Sequence, residues 1–462
     1  MDNPKVVATS AKDGGNSTDI LAMDVDPDEE KTAAPEAFSP EFLGVYYSRL
    51  YPFEWMHEWL SYGSPDASVS VFSRREWSFT VQTEMGEEIY LRYQSFGSAL
   101  ELRDAVVKRR PIKIDIGGAY NHPPKDRKAY TAAAFRPTER ELVFDIDLTD
   151  YDDVRTCCSE ANICHKCWIL MACAIEVIDA CLKEDFGFKQ LHWFYSGRRG
   201  VHCWVVDDVA RELTDEARGA IVQYFLLDFA SEKSQKGTGN KLPIPLHPML
   251  KRSYDILEPY FIEHVLSESG LLGLLANKKS WLGLLNNLPR PANKVAADLM
   301  EKWNKHERSP VEKWTDLTSA LDSLLEKRGG RSSKTPKHNN MSFSERQEIE
   351  SWKFATVFRH TYPRLDAGVS KARNHLLKAP FCVHPKTGRV CVPIAPDKVR
   401  EFDPFAVPTV GELVRELDMT TKGGDEGIAD WERTSLKKCF QAFKEGFLTP
   451  LKRECAKKKG CC

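Results

Sequence analysis

Neither sign of charge dominates this chain: 65 Lys and Arg stand against 67 Asp and Glu, a net charge of −2. That balance excludes a uniformly basic nucleic-acid coat but leaves room for a local basic cleft. No apolar run approaches the ~18 residues a membrane span needs. The start, Met1-Asp2-Asn3-Pro4, leads into polar and acidic residues with no apolar h-region, so no secretory signal is expected. The 13 cysteines are then expected to be reduced, and a cluster of them reads as metal-binding or core before disulfide. The closing Gly460-Cys461-Cys462 is not a C-a-a-X prenylation box. There is no internal repeat. What remains is 462 residues, 42% hydrophobic and 29% charged, enough for a large core with an insertion or two to three domains.

Residues 1–38 mix Gly, Ser, Ala, Pro and acids without periodicity, with an acidic run at Asp24–Glu30, and read as a disordered tail. From Tyr46 to Trp59 aromatics and Leu recur at helical spacing, Pro52 being tolerable as a first-turn residue. Trp77, Phe79 and Val81, then Ile89, Leu91 and Tyr93, alternate about a Glu84-Met85-Gly86 turn and predict a hairpin, with Arg92 on the face opposite Leu91 and Tyr93. Lys113-Ile114-Asp115-Ile116-Gly117-Gly118 reads as a short strand ending in a glycine turn. Trp168, Met171, Ile175, Ile178 and Leu182 form one helical stripe that Gly187 ends. Strands are expected at Gln190–Tyr195 and Val201–Val206. From 211 to 349 Leu, Ala, Glu and Lys dominate and alternation vanishes, with polar linkers at Ser231–Pro245 and Arg328–Asn340. This reads as a helical insert in a mixed α/β core formed by 39–210 and 350–410. Strand texture returns at Phe381–His384 and Arg389–Ile394 around a Pro385–Gly388 turn, and 411–462 is a mostly helical segment and tail.

Three groups carry chemistry. In Glu141–Leu148, Leu142, Phe144, Ile146 and Leu148 alternate with Glu141, Val143, Asp145 and Asp147. One face packs inward, and the other brings two carboxylates about 7 Å apart, close enough to share a hard cation. A solvent-facing acidic pair is the bland alternative. Cys157, Cys158, Cys164 and Cys167 offer four thiols within eleven residues, a spacing that suits a tetrahedral structural zinc. His165 is an alternative ligand, and partly buried free cysteines are the bland reading. Ser196-Gly197-Arg198-Arg199-Gly200-Val201-His202 lies between two strands: glycines allow close backbone approach, and arginine forks with a hydroxyl suit phosphate oxygens. A second basic group, with Lys371, Arg373, His375, Lys378, His384, Lys386 and Arg389, follows Asp366 with no intervening acid. Three acids and two separated basic clusters fit a divalent-metal enzyme acting on a triphosphate and a polyanion.

The segments IYLRYQSF, KIDIG, ELVFDIDLTDYDDVR, CCSEANICHKCW, EDFGFK, WFYSGRRGVHCWV and PRLDAGVSKARNHLLKAPFCVHPKTGRVCVPI resemble the catalytic small subunits of eukaryotic DNA primase, within the archaeo-eukaryotic primase superfamily. The likeness spans about residues 41–410. It implies a mixed β-sheet catalytic core of the α/β (α+β) class with a zinc-binding module and an inserted α-helical subdomain. It also implies an activity: template-directed synthesis of short RNA primers from ribonucleoside triphosphates on single-stranded DNA. The resemblance places two Mg²⁺ or Mn²⁺ ions on Asp145, Asp147 and Asp366, and one structural Zn²⁺ on Cys157, Cys158, Cys164 and Cys167. Nucleotide ligands map onto Ser196, Arg198, Arg199, His202, Lys378 and His384, with Arg92, Lys113 and Asp115 lining the nucleotide pocket. Implied partners are a large iron–sulfur primase subunit in a heterodimer and the DNA polymerase alpha complex. The implied location is the nucleus, for which Lys457-Lys458-Lys459 is a weak local sign.

Two rivals use the same residues. A two-metal nuclease or phosphatase would employ the acids with water as nucleophile, but it needs fewer triphosphate ligands than two basic clusters provide. A zinc-bearing binding subunit without activity has no call for three metal-holding acids.

Overall fold

The computed structural model describes residues 38–64, 70–227, 242–267, 269–326, 341–420 and 427–459. The acidic tail up to residue 37, most of both polar linkers, loop residues 422–426 and the Cys-Cys terminus lie outside them. The chain is a mixed α/β protein built on two antiparallel sheets.

The first sheet has the order β2-β1-β3-β4, with β8 also pairing with β3. Its strands are β1 (Arg75–Gln82), β2 (Glu88–Gln94), β3 (Lys113–Tyr120), β4 (Pro137–Glu139) and β8 (Leu377–Lys378). The second has the order β5-β7-β6-β9, from β5 (Leu142–Asp147), β6 (Leu191–Tyr195), β7 (Gly200–Val205) and β9 (Pro393–Ile394). Each sheet therefore takes one strand from the far side of the helical stretch.

The first helices, α1 (Pro40–Arg49) and α2 (Phe53–Leu60), follow the predicted aromatic pattern. Ser39 caps α1 by accepting from the Phe42 N–H at 3.1 Å, and Pro52 stands just before α2 as its cap residue. Helix α3 (Ala99–Arg109) joins β2 to β3. The long α4 (His165–Glu184) is buried on nearly every side rather than on one stripe. It covers one face of the second sheet, where buried Trp193 donates its indole N–H to Asp179 at 3.1 Å. The opposite face is closed by aromatics: Trp59 of α2 stacks on Phe194 at 6.1 Å and meets Trp204 edge-on at 5.8 Å.

Among the described residues between 211 and 362 there is no strand. The helices are α5 (Asp208–Arg211), α6 (Asp215–Phe225), α7 (Pro248–Tyr260), α8 (Lys278–Asn286), α9 (Asn293–Lys305), α10 (Pro310–Glu326) and α11 (Phe343–Thr361). The short α12 (Ala367–Lys371) returns the chain to the sheets. Beyond β9 come α13 (Val410–Thr420), α14 (Lys437–Phe443) and α15 (Thr449–Lys459).

Three local expectations are corrected. Gly117 and Gly118 do not turn the chain; β3 runs straight through them to Tyr120. They serve close packing: a Cβ on Gly117 would meet Leu376 at 2.8 Å, and one on Gly118 the Arg373 carbonyl oxygen at 2.6 Å. The segment 373–376 thus lies directly across β3. The second correction concerns Phe381–Ile394, which is mostly irregular: Val383 and Val390 form an isolated bridge, and only Pro393–Ile394 joins a sheet. The third is β5 itself. Val143 and Glu141, on the supposedly polar face, are fully buried, so only Asp145 and Asp147 open toward solvent on that side.

Candidate active site

A cleft of about 370 Å³ opens where β5, β7, the β6–β7 turn and the segment after α12 meet. Asp145, Asp147 and Asp366 line it together with Ser196, Arg198, Arg199, His202, Lys378 and His384. Backbone pairing explains how distant residues arrive there. In the β5–β7 ladder Asp145 stands opposite His202 and Asp147 opposite Gly200. Gly200 has no room for a side chain, since a Cβ would lie 2.5 Å from the Ile146 carbonyl oxygen. Asp366 is tied to the same strand by its own N–H, which donates to the Asp145 carbonyl at 3.0 Å. It also caps α12, accepting from the Gly368 N–H at 2.9 Å.

Arg364, two residues earlier, strengthens that tie. Its guanidinium is mostly buried, pairs with Asp153, donates to the Asp150 and Arg359 carbonyls and lies 5.0 Å over the Tyr151 ring. Its N–H donates to the Tyr151 hydroxyl at 2.9 Å. The chain just after Asp147 therefore grips the chain just before Asp366. The end of α12 is held by buried Arg140, which donates to the Val369 and Ala372 carbonyls at 2.9 and 2.8 Å.

The electrostatics follow from this crowding. Burial, and then the neighbouring Asp147 and Asp366 carboxylates, push Asp145 up to about 7, with Lys378 opposing. Asp150 is raised for the same reasons. Asp147 is locked by Thr149, whose N–H and hydroxyl donate at 2.9 and 2.8 Å, and by the Arg199 Nε, 2.7 and 2.8 Å from its two oxygens. His202 lies 3.5 Å from Asp145, yet burial and then Lys378 bring it down to about 3, so its imidazole is neutral at physiological pH. Burial, Lys378, Arg198 and Arg199 bring His384 down to about 3 as well. Lys378 anchors its ammonium on the Ser196 carbonyl at 3.1 Å. Gly197 holds φ +86°, a conformation that favours glycine, and a Cβ there would meet His384 Cβ at 2.7 Å. Ser196 accepts from the Gly200 N–H at 3.0 Å, and the Thr387 hydroxyl donates to the Gly197 carbonyl at 2.6 Å, so the two basic groups are knitted together.

Arg92, Lys113 and Asp115 do not line this cleft. They occupy the adjoining face of the first sheet, linked to it through the Asp115–Lys378 strand pairing. Arg92 pairs with buried Glu76 at 2.9 Å and Lys113 with Glu88 at 2.9 Å. Burial raises Asp115 against the opposing pull of Ser78, Lys378 and Lys113. Sequence reasoning missed Glu76, Thr149 and the cleft walls Val369, Leu376 and Leu377, and gave Arg364 no positioning role. None belongs to a pattern that periodicity or ligand spacing marks.

Cys157, Cys158, Cys164 and Cys167 bring their sulfurs within 4.8 Å of one another, a group that fits a metal such as zinc. His165 turns away, with Nε2 3.2 Å from Asp403 and its ring 4.7 Å from Phe405. Buried Arg155 braces the loop through Asp152 at 2.7 Å and the Asn162 and Glu160 carbonyls at 2.9 Å.

Clustered carboxylates facing a wall of arginine, lysine and neutral histidine define an α/β protein that handles polyphosphate. Comparison with known proteins makes the class specific. The family described as DNA primase small subunit matches residues 144–396. The chain is 39% identical over 387 residues to the DNA primase small subunit of Schizosaccharomyces pombe, covering 84% of this chain and 80% of that one. It is 38% identical over 443 residues to the Drosophila melanogaster protein of the same name, covering 92% and 95%. To that of Saccharomyces cerevisiae it is 35% identical over 428 residues, covering 92% and 94%. The chain belongs to the DNA primase small subunit family.

Proposed function

We propose that this chain is the nucleotidyl-transferring subunit of a primase, making short RNA primers from ribonucleoside triphosphates on single-stranded DNA, and that the cleft is where it does so. The observation that carries this reading is the convergence of Asp145, Asp147 and Asp366 opposite two basic groups in one cleft. The donor set fits divalent metal. Three hard oxygen ligands crowd together, and burial and then its acid neighbours push Asp145 up to about 7, a repulsion that a cation would relieve. Mg²⁺ or Mn²⁺ bound by these three residues would supply a lowered pKa for the primer 3′-hydroxyl and charge neutralisation on the triphosphate.

The remaining work falls to protein groups. Arg198, Arg199 and Lys378 align the β- and γ-phosphates so that pyrophosphate leaves opposite the attacking hydroxyl. Neutral His202 and His384 donate hydrogen bonds without adding charge, and the Ser196 hydroxyl completes the phosphate cradle. Arg199 already holds Asp147, so it orients a carboxylate and a phosphate from one position. On the adjoining sheet face, Arg92, Lys113 and Asp115 extend the pocket toward the sugar and base.

Cys157, Cys158, Cys164 and Cys167 would hold Zn²⁺ as a structural ion, leaving no position open for catalysis. Family membership implies a primase complex, and we place a large iron–sulfur subunit and the DNA polymerase alpha assembly in it, working in the nucleus. In support, the only gathering of cysteines among the described residues is the four-thiol group, which leaves an iron–sulfur cluster to a partner.

The test is primer synthesis on pyrimidine-rich single-stranded DNA with ATP or GTP and Mg²⁺ or Mn²⁺. Asp145→Ala and Asp147→Ala abolish product; persistent synthesis by either removes the metal reading. Arg198→Ala mainly raises KM for nucleotide, and an unchanged value removes its phosphate role.

A further inference from the structure

Several cations near the cleft are matched to acids, Arg92 to Glu76, Lys113 to Glu88, Arg199 to Asp147 and Arg373 to Asp215, while Lys378 rests on the Ser196 carbonyl. The loop between β3 and β4 is different. Residues 121–136 carry Lys125, Arg127, Lys128 and Arg136, with Asp126 as their one acid. Among the described residues none of the four cations forms an ion pair, and Lys125, Lys128 and Arg136 are exposed.

The loop does not need these charges to hold its shape. Its ends are closed by Asn121, whose backbone N–H donates to the Arg136 carbonyl at 3.1 Å, while its side chain accepts from the Arg136 N–H at 3.0 Å. Rings fill it: Phe135 stacks on Tyr120 at 4.3 Å, and His122 on Tyr130 at 3.9 Å with planes 10° apart. Arg127 covers the Tyr93 and Phe135 rings at 5.2 and 5.6 Å. The result is a closed loop that presents three exposed, unneutralised cations, a charge pattern suited to a single-stranded polyanion, with only the half-buried His122–Tyr130 pair near the surface.

The loop is also continuous with the cleft. Segment 373–376, which carries the cleft residues His375 and Leu376, lies across Gly117 and Gly118 of β3, and β3 runs from there into Asn121. Four residues of strand cover about 13 Å. Arg92 bridges the interval, its Nη2 3.5 Å from the Asn374 carbonyl and its guanidinium 4.9 Å over Tyr93.

We propose that the 121–136 loop is a docking surface for the single-stranded DNA template, engaging its phosphates through Lys125, Lys128 and Arg136. This rests on the primase reading of the cleft. The experiment compares the wild-type chain with the triple variant Lys125→Ala/Lys128→Ala/Arg136→Ala. It measures binding of a fluorescent oligo-dT by anisotropy across salt concentrations, and primer synthesis alongside. Each phosphate contact to a single strand contributes about 0.7 to the slope of log K against log salt. The variant's slope is expected to be shallower by about 2, and its affinity at 100 mM salt lower by about tenfold to a hundredfold. KM for template rises in step, while kcat at saturating template and KM for nucleotide stay as in wild type. An unchanged slope, or a wild-type chain that binds no oligo-dT at 50 mM salt, overturns the proposal. A wild-type chain that binds DNA in a loop-dependent way but makes no primers would instead sink the reading of the cleft.

Discussion

Asp145→Asn should stabilise the chain in Mg²⁺-free buffer, by an amount that grows with pH. An aspartate in an unfolded chain titrates near ~3.9, whereas burial, Asp147 and Asp366 push Asp145 up to about 7 in the folded cleft. The folded state therefore binds the proton more tightly, so stability falls as pH rises from about 4 to about 7 and levels off above. Each pH unit across that window costs about 1.4 kcal/mol, an upper limit of about 4 kcal/mol for the whole span. The side chain is 29% exposed, and solvent screening brings the expected cost to about 2–3 kcal/mol. The asparagine variant is nearly isosteric and escapes it. With an unfolding entropy of about 2.1 cal/mol/K per residue, a chain of this length gains about 2–3 °C in Tm. Melting followed by tryptophan fluorescence at pH 4.5, 6, 7 and 8, without chelator so that any metal on the cysteine group is left in place, reads the effect. The gain should be smallest at pH 4.5 and complete by pH 8. Adding Mn²⁺ should then raise Tm of the wild type and leave the variant largely unmoved. A gain that is the same at every pH, or a variant that melts below wild type at pH 8, refutes the account of a repelling acid cluster.

Three further outcomes follow from the packing. Arg364→Ala should lower kcat at least tenfold with KM for nucleotide within about twofold, because it loosens Asp366 and leaves Asp153 without its partner; steady-state kinetics with Arg364→Lys as partial rescue decide it, and a pure KM effect counts against a positioning role. Gly200→Ala drives a Cβ to 2.5 Å from the Ile146 carbonyl, which should cost about 1–3 kcal/mol and eliminate primer synthesis; wild-type melting and activity together would show that the strand pairing tolerates displacement there. Cys164→Ser should reduce bound zinc by elemental analysis and lower Tm, since four thiols within 4.8 Å lose one member; undiminished zinc would disconnect the metal from this group.

Much of this site was legible because local patterns carried it. Alternation through Leu142–Leu148 marks a strand and sets Asp145 and Asp147 on one face, and the β6–β7 turn is bounded by two clear strands. The four thiols are close in sequence, so a short loop gathers them. Where contacts are long-range, periodicity is silent. Leu377–Lys378 forms a two-residue strand, too short to alternate, and its role comes from pairing with Asp115 and Ile116. Gly117 and Gly118 resemble a turn in one dimension; only the segment lying across them shows that they exist to admit it. Strand periodicity gives Arg92 only its face; what holds its guanidinium is Glu76, on the neighbouring strand. The site of Asp366 is likewise a tertiary fact, fixed by one backbone hydrogen bond and the grip on Arg364.

The division of both sheets across the helical stretch bears on how the molecule assembles. The first sheet waits for β8 and the second for β9, and both strands follow the long helical passage. Asp366 joins Asp145 across about 220 residues, which at 5–20 residues per second is about 11–44 s of synthesis. Throughout that interval the nascent chain carries two unfinished sheets and an acidic strand whose third member has not yet been made. The cleft is thus among the last parts of the molecule to close, and a chain cut off between α11 and Asp366 keeps most of the buried apolar residues yet lacks Asp366, Lys378 and His384 of the cleft.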